Sequence, residues 1–178
     1  MTCTLNYKPT KEEVKFIAMN LQKEEVDELD IFMTSPSSAI LDSVEMSHGT
    51  ATVISPDGFP IAVCGVVPMD NDTGMLWVMS TEKVKAHSLG FFRCIRTLAE
   101  EQCALFGRVV SYVDIDSPAH QKFTAALGLT LTSEVMTNAD NGRQYLVFEM
   151  ITTKGLDEMF YQSDNIDHYK KLHNLPNE

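Results

Sequence analysis

The chain has 178 residues, of which 44% are hydrophobic and 22% charged, with 14 Lys and Arg against 25 Asp and Glu for a formal net charge of −11. These are globular proportions, enough for one domain with a real core. The acidity argues against a general nucleic-acid binder, because phosphates would be repelled, and no signal peptide or apolar run of membrane-spanning length is expected.

Taken in order, Thr4 to Lys8 alternates weakly and reads as a short edge strand. Pro9-Thr10-Lys11-Glu12-Glu13 is a helix start, with Thr10 as N-cap and two acids where the helix dipole favours them; Val14, Ile17, Ala18 and Leu21 form the apolar face. Lys23 to Met33 reads as a second short helix. Its Glu24, Glu25, Asp27, Glu28 and Asp30 are either a solvated face or a docking surface for a basic partner. Ala39, Ile40, Val44 and Met46 support a third helix ending near Gly49. Thr50–Ile54 and Pro60–Val67 form an antiparallel hairpin around Ser55-Pro56-Asp57-Gly58, where proline presets one dihedral and glycine tolerates positive φ.

The stretch from Gly74 to Leu129 organises the rest. Met75-Leu76-Trp77-Val78-Met79 is an apolar run of strand length, broken by Ser80–Lys85. From Ala86 to Phe106 the period becomes helical, with Leu89, Phe92, Cys94/Ile95, Leu98/Ala99, Cys103 and Phe106 inward. Gly107 stands at the C-cap position. Val109–Val113 is a second buried strand, so the unit is βαβ, with parallel strands and a right-handed crossover. Ser117 and Pro118 open a short helix over His120–Leu127 that Gly128 ends. Thr130–Thr137 and Gln144–Thr152 are the last two strands, around Asp140-Asn141-Gly142. The predicted architecture is a mixed-sheet α/β domain over residues 1–152, with a C-terminal arm or tail at 153–178. Leu156, Phe160, Tyr161 and Leu172 make that arm too apolar for a solvated linker and mark it as a contact segment.

Candidate chemistry is sparse. Cys3, Cys64, Cys94 and Cys103 lack metal-ligand spacing and read as buried free thiols in a reducing compartment. His168 and His173 lie five apart, off one helical face, and no metal site is expected. Lys83, Lys85, His87, Arg93 and Arg96 concentrate positive charge where the long helix begins. They are either a solvated face or an anion site for a CoA-like phosphate or an acidic partner, since cations there oppose the dipole unless an anion is present. Glu82 reads as a loop carboxylate and His120 as a surface or capping histidine. Trp77 is core or groove wall.

The order β, α, α, α, β, β, β, α, β, α, β, β resembles the GNAT (GCN5-related N-acetyltransferase) fold. Its best local match is Asp116 to Leu129, a polar start to a short helix ending in Leu127-Gly128-Leu129. The resemblance implies acetyl-CoA as cofactor, held by a Gln/Arg-x-x-Gly-x-Gly/Ala loop at the long helix's N-terminus. Here that loop, Ser80 to Ser88, has no glycine, and Val84 stands where the backbone must come close. The family's tyrosine acid, four residues before the helix-ending glycine, is replaced by Thr124, too weak an acid to protonate a thiolate. Trp77 to Val84, Ser111-Tyr112-Val113 and Phe123 to Gly128 resemble more closely the acetyltransferase-like short internal virion proteins of podoviruses, which lack both features too. This second resemblance implies a non-catalytic role and no cofactor. It also implies partners among other virion proteins or copies of itself, and a place in the virion or the infected host's cytoplasm. The alternative is an N-acyltransferase moving acetyl from acetyl-CoA to an amine.

Overall fold

The computed structural model describes residues 2–26, 35–139 and 141–152. Its element order is β1 (Thr4–Asn6), α1 (Lys11–Met19), α2 (Pro36–Met46), β2 (Gly49–Ile54), β3 (Pro60–Pro68), β4 (Thr73–Ser80), a 3-10 turn (Glu82–His87), α3 (Ser88–Phe106), β5 (Arg108–Asp114), α4 (Pro118–Ala126), β6 (Thr130–Thr137) and β7 (Gln144–Ile151). One seven-stranded sheet runs β1-β2-β3-β4-β5-β7-β6. Every neighbouring pair is antiparallel except β4 and β5. The sequence expectation of a mixed sheet around a parallel βαβ unit therefore holds.

Alternation along the strands sorts side chains between two layers. Ala62, Cys64 and Val66 of β3 face α3, where Ile95, Leu98 and Ala99 complete the main core. Val63 faces the other way, against Val14, Ile17, Ala18 and Ile40 of α1 and α2. β3 is covered on both faces, which explains its unbroken apolar run.

Local signals set the helix ends. Thr10 forms a full capping box: the Glu13 N–H donates to Thr10 Oγ1 at 3.2 Å, and the Thr10 N–H donates to Glu13 Oε2 at 2.9 Å. Gly107 takes φ 95° and its N–H closes α3 on the Cys103 carbonyl at 2.8 Å. Four details differ from expectation. The long helix begins at Ser88, because 82–87 is wound as a 3-10 turn. Leu89, expected inward, is 76% exposed, and Phe91 is the buried residue of that turn, since Phe91 and not Leu89 stands three residues before Cys94 on the buried stripe. Met46 is exposed on α2. Ser117 makes no side-chain cap bond. The helix expected over Lys23–Met33 is described only at 23–26, which are helical. Leu156, Phe160, Tyr161 and Leu172 lie outside the described residues.

Two features of the sheet position the site. β4 and β5 pair over only three residues, Thr73–Met75 with Arg108–Val110, while β5 pairs with β7 along its whole length. Beyond Met75 and Val110 the two strands diverge. Gly74 permits the close approach at the apex: a Cβ there would lie 2.3 Å from Val66 Cγ1 and 3.0 Å from Phe106 Cδ2. At the sheet's far end, β6 is exposed along nearly all its length. It is interrupted where Thr132, Ser133 and Glu134 stand opposite the single residue Val147.

Candidate functional site

The divergence of β4 and β5 opens a cleft of about 610 Å³. Its walls come from both layers. Phe91, Phe92 and Phe123 line the α3 side as a contiguous aromatic group with ring centroids 5.0–6.1 Å apart. Trp77 and Met79 line the α1 side, and Tyr112 and Asp114 line it from β5. Trp77 donates its indole N–H to Ser47 Oγ at 2.8 Å, so the expected groove wall is also tied to α2.

At the open end of β4 the chain already occupies the strand's edge. The Ser80 N–H donates to Glu25 Oε2 and the Ser80 hydroxyl to Glu25 Oε1, both at 2.7 Å. Gln22 Nε2 donates to Ser80 Oγ at 2.6 Å, and the Gln22 N–H donates to the Ser80 carbonyl at 3.0 Å. A bridge between Leu21 and Thr81 extends the contact. Leu21–Glu25 is thus a strap across the end of the cleft. Glu25, expected on a solvated or docking face, points inward at a serine that is only 4% exposed. A charge-assisted pair of bonds in such a site is short and strong.

The cations at the start of the long helix do not converge. Lys83 Nζ sits 3.6 Å from the centroid of the Phe59 ring, a cation–π contact on the β2–β3 turn. Lys85 pairs with Glu82, whose hydrogen bond raises the lysine's pKa. His87 Nε2 lies 3.8 Å from Asp57 Oδ1. Of the three, only Lys85 lines the cleft. Asp57 is held below the usual carboxylate range, first by the Ser55 hydroxyl and less by His87 and Lys83. Val84, the β-branched residue of the loop, is buried in the main core at 7% exposure.

Thr124 lines the cleft where the resemblance places a tyrosine, and its hydroxyl supplies no acid at neutral pH. His120, half-buried on α4, lines the cleft. Glu82 remains a loop carboxylate, held by Lys85. All four cysteines are free and buried. Burial raises their pKa values, that of Cys94 to about 11, so none is an activated nucleophile. The arrangement is an apolar, aromatic cleft with one strand edge available for main-chain hydrogen bonds. Sequence reasoning missed Gln22, Glu25 and Ser80; Gln22 and Glu25 fall on one helical face three apart, the only local trace of the strap.

No protein-family model matches the chain, and no curated protein matches it. Solved structures do. A GNAT superfamily phosphinothricin acetyltransferase from Sinorhizobium meliloti, in complex with AcCoA, superposes with TM-score 0.64 at 13% identity, over 88% of this chain and 92% of that one. A spermidine N-acetyltransferase SpeG chimera from Vibrio cholerae and hSSAT gives 0.63 at 10% identity, over 88% and 99%. A putative GNAT-family acetyltransferase from Desulfovibrio desulfuricans gives 0.56 at 11%, over 84% and 98%. The chain has the GNAT acetyltransferase fold.

Proposed function

We propose that this chain is a non-catalytic GNAT-fold protein that acts through protein–protein contacts, with other virion proteins or copies of itself, in the particle or the infected host of a small lytic phage. The observation that carries the non-catalytic part is the start of α3. A nucleotide pyrophosphate needs backbone N–H groups it can approach and cations it can share. Here a 3-10 turn without glycine buries Val84, while Lys83, Lys85 and His87 each face a partner of their own. The phage setting rests on the short sequence resemblance of Trp77–Val84, Ser111–Val113 and Phe123–Gly128.

A second reading, an acyltransferase that holds acetyl-CoA without the glycine loop, is favoured by the cleft itself, which lies between the diverging strands of a fold shared with an AcCoA complex. Calorimetry separates the two. No saturable heat with acetyl-CoA at micromolar concentration supports the first. A one-site isotherm lost in the Lys83→Ala, Lys85→Ala double variant supports the second. Mass spectrometry of purified particles tests the setting: absence of this chain's peptides removes the virion role.

A further inference from the structure

We infer that the cleft between β4 and β5 is the seat of this chain's own C-terminal stretch, Tyr169–Leu175. The inference holds whether or not the cleft supports chemistry.

The first support is the shape of the receptor. Ser80 directs its N–H and C=O away from β3, toward Glu25 and Gln22. Main-chain groups alternate in direction along an antiparallel ladder, so Val78, two residues back, turns the same way. Its main chain has no partner among the described residues on that side, because β5 has already diverged. Leu21–Glu25 therefore occupies one position of an edge that continues into the cleft. An extended segment adds to such an edge by main-chain hydrogen bonds, with side chains alternating to either face. Both faces are walled, by Phe92 and Phe123 on one side and Trp77 and Tyr112 on the other.

The second support is reach. The Thr152 N–H donates to the Gly107 carbonyl at 2.9 Å, which fixes the tail's origin beside the first residue of β5. A relaxed tether of the intervening residues 153–168 spans about 20–25 Å. The seven residues of β5 measure about 23 Å. The stretch thus arrives in the cleft without being extended.

The third support is charge. Tyr169-Lys170-Lys171-Leu172-His173-Asn174-Leu175 holds three large apolar residues and two lysines, and no acid. Glu24, Glu25 and Asp114 line the cleft with one lysine, Lys85. Lys85 is engaged by Glu82, Asp114 by Arg143 at 3.1 Å and Glu25 by Ser80, and Glu24 is the exposed acid at the mouth. In a chain of net charge −11 this locally cationic, apolar segment suits that lining. Tethering raises its effective concentration to the millimolar range.

The test uses the full chain with a benzoylphenylalanine photo-cross-linker replacing Leu172. Cross-links within one chain to Phe92, Tyr112 or Phe123, at a yield independent of protein concentration, are expected. Cross-links confined to residues outside the cleft, or formed only between chains, overturn the inference. A second measurement uses the chain's single tryptophan, Trp77. Leu172→Asp with Leu175→Asp should red-shift its emission and raise acrylamide quenching. A synthetic peptide of residues 166–178 at millimolar concentration should reverse both changes. Unchanged emission and quenching in a variant that melts normally overturn the proposal.

Discussion

Replacing Gly74 by alanine tests the account of the cleft's apex. The new methyl would stand 2.3 Å from Val66 Cγ1 and 3.0 Å from Phe106 Cδ2. Val66 is fully buried and Phe106 nearly so, and a β-branched valine has few rotamers to retreat into. Inserting a methyl into a packed core costs about 1–3 kcal/mol, and a contact this close belongs at the upper end. Loss of glycine's freedom in the unfolded chain offsets about 0.4–1 kcal/mol. The expected net cost of Gly74→Ala is therefore about 2–2.5 kcal/mol, or a fall in Tm of about 4–10 °C for a chain of this size. The decisive measurement is a double-mutant cycle followed by urea denaturation. Val66→Ala alone should cost about 2 kcal/mol through the cavity it leaves. Combined with Gly74→Ala, the new methyl enters that cavity, and the total should fall short of the sum by about 1–2 kcal/mol. Additivity within about 0.5 kcal/mol would refute the reasoning.

Other expectations follow from single contacts. Thr52 is fully buried and its hydroxyl has no partner among the described residues, so Thr52→Val should stabilise the fold by about 1–2 kcal/mol in the same denaturation assay. The Asp57 carboxyl is depressed by the Ser55 hydroxyl; its contribution to stability is present above the unfolded pKa and fades as pH falls through the folded one. An NMR titration should place its midpoint below the ordinary aspartate value, and Ser55→Ala should move it up. Burial raises the four thiols, so at pH 8 a disulfide reagent should label the native chain slowly and all four thiols at once in denaturant.

The fold was legible because its signals are periodic. Ile95, Leu98 and Ala99 mark the α3 stripe, and Asp140-Asn141-Gly142 stands between two strands that pair as expected. The site was less so. The clustering of Lys83, Lys85 and His87 is visible in the sequence, yet the directions of their side chains are set by the 3-10 turn and by Phe59, 24 residues before Lys83, and Asp57, 30 residues before His87. Glu25 is harder still. It sits in an acidic run, and its partner Ser80 lies 55 residues further on, a pairing that no local periodicity encodes. Leu89 was misplaced because it lies in the first turn off the stripe that Cys94, Ile95 and Leu98 define, whereas Phe91, three residues before Cys94, lies on it.

The irregular rim strand β6 has a bearing on how crowded copies of this chain behave. A regular outermost strand is a template onto which further chains can add without limit. Thr132–Glu134, three residues against one, interrupts that template, and Glu134 places a carboxylate there within 4.0 Å of the Arg108 guanidinium. Leu131 and Val135 are both half exposed, so straightening the strand would leave a flat, sticky rim. Deleting Ser133 and Glu134 should therefore raise thioflavin-positive fibril formation above that of the intact chain at the same concentration, the outcome expected if the least tidy segment of the sheet keeps concentrated chains apart.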